Sequence, residues 1–240
     1  MGLNLFQRVC EPKNLEKAWL NIKAKGSRGG IDHVETDVFE KNAAEELHLL
    51  HMDLIGGTYK PDPGLSLRLK KEGKNETRPL GLLTIRDKIA QLAVKQIIEP
   101  IIDKQFSPAS YGYRPGRSPL KAINKTKHLI QFEKRYWMAV CDIDNFFDTI
   151  PIGPLQDEFN KRFPDPKLCR LVETWAQMGK VTYSYHWEDR LMGVQQGSVL
   201  SPLLSNMYLD GFDHEMQKRN YGLVRFADDF VILCHNARQA

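Results

Sequence analysis

The sequence predicts an α+β fold, and three observations predict it. Apolar stretches of helical and of strand character are mixed along the chain, without the regular strand–helix–strand alternation of a doubly wound parallel sheet. No glycine fingerprint of a dinucleotide site follows any strand. The 240 residues, 42% apolar and 27% charged, suffice to bury a sizeable core without staples, and no composition shift marks a flexible linker.

Taken in order, "NLEKAWLNIKAK" (residues 14–25) reads as a short helix that ends at the glycine-rich turn "GSRGGIDH". Residues 37–55 read as a second helix, with Phe39, Leu47, Leu50 and Leu54 as core contacts and Gly56-Gly57 as its stop. "LSLRLKKEGKNETRPLGLL" alternates and then breaks at a charged turn, which predicts a β-hairpin with a flexible tip at 72–77. In "TIRDKIAQLAVKQIIEPIID", Thr84 and Asp87 form a capping box. Ile89, Leu92, Ala93, Val94, Ile97 and Ile101 then give a broad apolar face, and Pro100 bends or ends the helix. "SPASYGYRPGRSP" is a loop, after which Ser118 and Pro119 open a helix to about Phe132. "RYWMAVCDIDNFFDTI" reads as a buried strand through Ile143 that passes into a turn. Ser201-Pro202 opens a helix to about Arg219, and "YGLVRFADDFVILC" is strand, turn, strand.

The net charge of +4 hides an uneven distribution. Residues 60–135 carry 17 Lys and Arg against 7 Asp and Glu, a balance of +10, and the remainder sums to −6. A basic segment joined to a mildly acidic one suits a protein that grips a polyanion with one part and uses acidic groups elsewhere, although a solvated basic face would look the same. Cys10, Cys141, Cys169 and Cys234 are scattered, which argues against a disulfide framework or zinc site and suits a reducing cytoplasm. No apolar run approaches a membrane span and the N-terminus lacks the apolar region of a signal peptide, so a cytoplasmic, membrane-independent protein is expected.

The acidic groups are the sharpest signal. Asp142 ends one apolar strand, and Asp228 and Asp229 sit at the tip of a hairpin made of two others. A carboxylate at a buried strand end costs several kcal/mol unless paired, and three together repel. Arg225 is the only cation next to them in these strands. A pair of magnesium ions would neutralise the cluster with hard oxygen ligands, and two such ions about 3.5–4 Å apart stabilise both the attacking and leaving oxygens of a phosphoryl transfer. The competing reading is an ordinary Asp-bearing turn. Such turns normally carry Gly or Asn, however, and Ala227-Asp228-Asp229-Phe230 has neither, which implies backbone strain held by its surroundings.

"RFADDFVIL" resembles the Tyr/Phe-x-Asp-Asp motif of reverse transcriptases, and "AVCDIDNFFDTI" resembles their other metal-binding motif. Between them, "GVQQGSVLSPLLSNMYLDGFD" resembles the Gly-x-x-Gln-Gly…Ser-Pro-Leu-Leu-x-Asn block. Upstream, "RPLGLLTIRDKIAQLAV" and "FSPASYGYRPGRSPLKAI" resemble the fingers motifs of the group II intron branch, which includes CRISPR-associated relatives. The five matches fall in family order between about residues 26 and 235.

The resemblance implies a right-hand polymerase with interleaved parts: an N-terminal extension at 1–30, fingers at 31–117 and 151–192, palm at 118–150 and 193–240, and no thumb. It implies metal ligation by Asp142 and Asp228, with Asp229 assisting and the carbonyl of Ile143 as a further ligand, for two magnesium ions with manganese as an alternative. Phe147 matches the aromatic under the incoming sugar, where a ring against C2′ excludes ribonucleotides by a clash. Its neighbour Phe146 packs in the core, since adjacent residues face opposite ways. Gln196 matches the glutamine along the nucleotide's sugar and base, and Arg78 the triphosphate-binding arginine. Lys71 is its expected partner, with Lys70 and Lys74 competing. Arg114 and Arg117 are expected to contact template or shape the pocket. "SRGGID", with Arg28, resembles the extension that lies over the template. The partners implied are an RNA template, a DNA or RNA primer and dNTPs; the sequence does not specify a homodimer or larger complex. One departure is Gln195, where the family usually has Pro, which loosens the turn and leaves Gln196 in place. The expected activity is RNA-directed DNA polymerisation. A non-catalytic RNA-binding module of an intron-splicing cofactor is the alternative, and a two-metal nuclease is disfavoured because it needs neither a sugar gate nor a glutamine for the sugar.

Overall fold

The computed structural model describes residues 2–70, 77–182, 187–188 and 192–240. In chain order the helices α1 (Leu5–Cys10), α2 (Pro12–Ala24), α3 (Thr36–Lys41) and α4 (Ala43–Gly56) precede strands β1 (Gly64–Lys70) and β2 (Thr77–Leu82). Then follow α5 (Ile85–Ile102), α6 (Pro119–Gln131), β3 (Trp137–Cys141), α7 (Phe146–Thr149), α8 (Ile152–Arg162) and α9 (Pro166–Ala176). The last elements are β4 (Lys180–Thr182), β5 (Trp187–Glu188), α10 (Ser201–Lys218), β6 (Gly222–Phe226) and β7 (Asp229–Cys234). Among the described residues no helix is long and apolar enough to cross a membrane.

Two compact units interleave along the chain, one made of Met1–Pro100 and Phe147–Ser201, the other of Ile101–Phe146 and Pro202–Ala240. The first holds a four-stranded sheet in the order β2-β1-β4-β5. β1 and β2 pair antiparallel from Leu65↔Leu82 to Lys70↔Thr77, while β1 and β4 run parallel from Gly64↔Lys180. Thr84 caps α5 as half of the expected box: Asp87 N donates to Thr84 Oγ1 at 3.1 Å. The Asp87 carboxylate turns elsewhere, accepting from the hydroxyls of Tyr59 (2.6 Å) and Thr84 (2.8 Å) and from Asp62 N (3.0 Å). The Tyr59 oxygen in turn accepts from Trp175 Nε1 at 3.0 Å, which fixes α9 to this network. Asp165 caps α9 and accepts from Phe6 N at 2.9 Å, tying α1 to the same helix.

Residues 37–55 form two helices rather than one. Asn42, at φ −123° and ψ 21°, leaves helical geometry and separates α3 from α4. Pro100 lies inside α5, which continues to Ile102.

The second unit is a three-stranded antiparallel sheet, order β3-β7-β6, with α6 packed on one face. Ala122 and Leu129 of α6 meet Val224 and Leu233 in its core, together with Tyr111. Ser118 caps α6 as expected, accepting from Lys121 N. The expectation of a buried strand at β3 is corrected here. The strand occupies a sheet edge and ends at Cys141, with Trp137, Met138 and Val140 exposed, Val140 by 73%. Apolar sequence predicted a strand; the cover depends on neighbours that a strand's own sequence does not name.

Candidate functional site

The β6–β7 hairpin closes in two residues. Phe226 pairs with Asp229, so Ala227 and Asp228 make the turn. Ala227 sits at φ +61°, in the left-handed region that costs a non-glycine residue about 1–3 kcal/mol unless its surroundings hold it. Arg225 supplies that hold. Fully buried, its guanidinium donates from Nη1 to the Ala227 carbonyl at 2.8 Å and to Asn206 Oδ1 at 2.9 Å. It donates to both carboxylate oxygens of buried Asp213, from Nε at 2.7 Å and from Nη2, and Nη2 also reaches Ser110 Oγ at 3.1 Å.

The loop before α6 closes the free side of β6. Tyr111 N donates to Arg225 O at 2.8 Å and Arg225 N to Ala109 O at 2.9 Å. A Cβ on Gly112 would lie 2.3 Å from Ala227 N, so only glycine lets the loop lie against the turn. Asn206 Nδ2 donates to Gly112 O at 2.8 Å. The sequence left Asn206 and Asp213 without a role. The available signal was their spacing with Asp210 on α10, positions i, i+4 and i+7, a polar stripe that faces inward among apolar residues.

The aspartates share one end of this sheet. Cys141 pairs with Phe230, so Asp142, one residue beyond β3, emerges next to Asp229, the first residue of β7. Asp142 and Asp229 are exposed; Asp228 and Ile143 are half-buried. Burial holds the Asp228 carboxyl above the ordinary range, and the negative charges of Asp229 and Asp142 push the same way, with Arg225 opposing. Arg225 therefore answers mainly to Asp213, its bidentate partner. Among the described residues no three His, Cys, Asp or Glu side chains already form a metal cage. Hard carboxylate donors that repel one another still fit magnesium, which is commonly held by one or two carboxylates plus substrate phosphate rather than by an all-protein cage.

In the first unit, the segment 193–197 is bound to two neighbours. Gly193 N donates to Ile150 O at 2.7 Å and Val194 N to Phe147 O at 2.6 Å. At Gly193, φ +82°, a Cβ would stand 2.6 Å from Phe147 O. On the other side, Gly81 N of β2 donates to Gln196 O at 2.7 Å. The Gln196 side chain reaches Asp148, donating from Nε2 to Oδ2 at 3.2 Å. This brings half-buried Phe147 and Gln196 onto adjacent segments, while Phe146 is buried and packs against Tyr208 in the second unit.

Gln195 does more than replace a proline. Its amide is buried, and neither its nitrogen nor its oxygen has a hydrogen-bond partner. It fills the space beside Gly64 and Gly81, where added Cβ atoms would stand 1.8 and 2.0 Å from its nitrogen. An unpartnered buried amide is a standing cost, so Gln195→Met should raise stability by about 1 kcal/mol. The urea midpoint of the variant checks this, and a lowered midpoint would mean the amide has a partner in solution.

The basic residues divide. Arg114 is buried and donates to Asp103 Oδ1 (2.7 Å), Asp103 O (2.8 Å), Ser107 O (2.7 Å) and Ser110 O (3.1 Å). These bonds brace the loop before α6 from within. Arg117 is half-exposed and lies over the Tyr111 ring at 5.1 Å. Arg28 is exposed, and its carbonyl accepts from Lys88 Nζ. Arg78 lies on β2, its backbone in register with Leu69. Lys71, Lys74 and the hairpin tip fall outside the described residues; Lys70 is exposed at the end of β1.

The fold is that of the fingers and palm of a nucleic-acid polymerase. Solved structures described as a partial Cas6-RT-Cas1–Cas2 complex and a Cas6-RT-Cas1–Cas2 complex superpose on 98% of this chain, each with a TM-score of 0.62 and 26% identity; the chain covers 39% and 24% of theirs. A telomerase from Candida albicans shares the fold over 75% of the chain at 12% identity and TM-score 0.56. The profile of the reverse transcriptase (RNA-dependent DNA polymerase) family matches residues 69–240, and the chain belongs to that family. It is 31% identical over 220 residues to Protein YkfC of Escherichia coli, and 31% identical over 218 residues to the group II intron-encoded protein LtrA of Lactococcus lactis. The matches take in 90% and 89% of this chain but 57% and 34% of those relatives.

Proposed function

We propose that the chain is the fingers-palm core of an RNA-directed DNA polymerase, joining a dNTP to a primer 3′ hydroxyl on an RNA template. The observation that carries this reading is the convergence of Asp142 with Asp228 and Asp229 at one end of the β3-β7-β6 sheet, where burial, aided by the charges of its two neighbours, raises the Asp228 carboxyl. Asp142, Asp228 and the Ile143 carbonyl would hold two magnesium ions, Asp229 assisting. Bound there, the metals supply Lewis-acid stabilisation to the attacking and leaving oxygens. The protein's own part is to aim these oxygens through the Arg225-braced turn, to seat the sugar between Phe147 and Gln196, and to offer Arg78 and Lys71 to the triphosphate. Under this reading the fingers are residues 31–117 and 151–192 and the palm residues 118–150 and 193–240, with Arg28 and Arg117 toward template. Primer, template and dNTPs are partners under this reading, as is the supply of divalent ion.

Extension of a primed RNA template by the full polypeptide, with dNTPs and magnesium and with chelator as control, tests the proposal. RNA binding without any extension under magnesium or manganese would favour the splicing-cofactor alternative, for which one relative's name, the nuclear intron maturase 4 of Arabidopsis thaliana, gives a precedent.

Phe147 gives the sugar a separate test. Phe147→Val should raise ribonucleotide use by about 10-fold or more relative to dNTP use, because removing the ring removes the clash with the 2′ hydroxyl. The ratio of single-nucleotide incorporation rates reads this directly; equal losses for both substrates would make Phe147 a packing residue.

A further inference from the structure

Helix α4 is apolar on two sides, and the first unit covers only one of them. Leu50 and Leu54 are buried, as the inner face of an amphipathic helix should be. On the opposite face Leu49, Met52 and Ile55 follow at intervals of three residues, 49%, 49% and 44% exposed. The row runs into a cavity of about 280 Å³ whose walls include Phe6 of α1, Leu54 and Ile55 of α4, and Leu171 of α9. Lys167 and Arg170, one turn apart on α9, belong to the same lining. Lys167 Nζ stands over the Phe6 ring at 5.7 Å, and Arg170 Nε donates to Pro166 O at 3.3 Å. Among the described residues no carboxylate pairs with either cation. Asp165 is engaged by Phe6 N and the first turn of α9, and Glu173 by Gln177.

We propose that this row and cavity dock an acidic segment of a partner protein. One large apolar side chain of the segment enters the cavity, further apolar residues lie along Leu49 and Met52, and Asp or Glu meets Lys167 and Arg170. The cavity falls just short of the roughly 300 Å³ at which sites for whole drug-sized ligands begin, so it suits an anchoring side chain better than a free small molecule. A polynucleotide would leave the apolar row uncovered, and a polybasic lipid site gathers roughly four to eight cations rather than this pair. A peptide answers both parts, the row by apolar contact and the cations by carboxylates.

The test is selection of a phage-displayed random-peptide library on the full polypeptide, followed by fluorescence polarisation with the synthesised winners. Peptides selected on the wild type should share a Leu, Phe or Trp anchor flanked by Asp or Glu. Met52→Asp, on the row, should weaken them about 10-fold or more, and Lys167→Glu with Arg170→Glu should do the same. The doubly reversed protein should in turn select peptides with Lys or Arg in place of the acids. That swap requires a folded site, so it decides the matter even if Met52→Asp folds poorly by circular dichroism. Failure to select an acidic, apolar-anchored family, or winners indifferent to these substitutions, would overturn the proposal. Self-association in the ultracentrifuge that Met52→Asp abolishes would also overturn it, because the face would then belong to a second copy. Binding of an RNA oligonucleotide or of phosphatidylserine vesicles that the same variants abolish, with no peptide selected, would give the face to that partner and end the proposal.

Discussion

Arg225→Ala is expected to destabilise the protein by about 3–5 kcal/mol, the usual consequence of removing one partner from a fully buried ion pair. Asp213 would lose its bidentate partner, and burial already pushes its carboxyl up against the pull of Arg225, so it would be left either as a stranded charge or as an acid without its hydrogen bonds. The Ala227 carbonyl, Asn206 and Ser110 would lose a donor in the same step. The urea midpoint measures the loss. Replacing both partners with apolar residues, Arg225→Met with Asp213→Leu, should recover a large part of it, because the stranded charge is then gone. A loss below about 1 kcal/mol for Arg225→Ala would mean the guanidinium is dispensable to the turn.

Asp228→Ala and Asp142→Ala should each abolish primer extension, a fall of about 10³-fold or more if several kcal/mol of transition-state stabilisation depend on a correctly held metal. The same substitutions should leave the midpoint of unfolding equal or slightly raised, because each removes one member of a repelling cluster. Opposite signs for activity and stability are the signature. Near-wild-type extension by either variant would remove these carboxylates from the chemistry, and a large drop in stability would mean they are structural.

Much of this was legible because short-range rules carried it. Ser118 and Thr84 cap their helices, and the hairpins fall where alternation and charged or tight turns put them. The strained turn was readable from what it lacked: Ala227 stands where glycine or asparagine is usual, and it takes a positive φ. Long-range facts were less visible. The break at Asn42 had one local cue, Asn42 with Glu45 three residues on at the start of α4, set within a stretch whose other residues suit one continuous helix. Asn4 with Gln7 opens α1 and Asp165 with Pro166 opens α9, signals present in the sequence, whereas the Asp165 link to Phe6 spans 159 positions and is visible only in the fold. Arg225 was noticed as the only cation beside the aspartates, but its true partner comes from a helix near its sequence neighbourhood and a loop more than 100 residues upstream. The family's motif order supplied what periodicity does not, a reason to look at Gln196 and Phe147 together.

The interleaving of the two units has a consequence for the birth of the protein on the ribosome. β3 must wait for Asp229–Cys234 before it has a partner. At about 5–20 residues per second, the roughly 90 residues between them take several seconds to emerge. During that interval Trp137, Met138 and Val140 belong to an apolar strand with no sheet to join, and the first unit meanwhile needs Phe147–Ser201 to complete its own sheet. The nascent chain thus completes its first-begun unit with residues 147–201 and its second with residues 202–240. Delays in translation between residues 141 and 229 should therefore lower the yield of folded protein more than equal delays elsewhere, which ribosome pausing at introduced rare codons would measure.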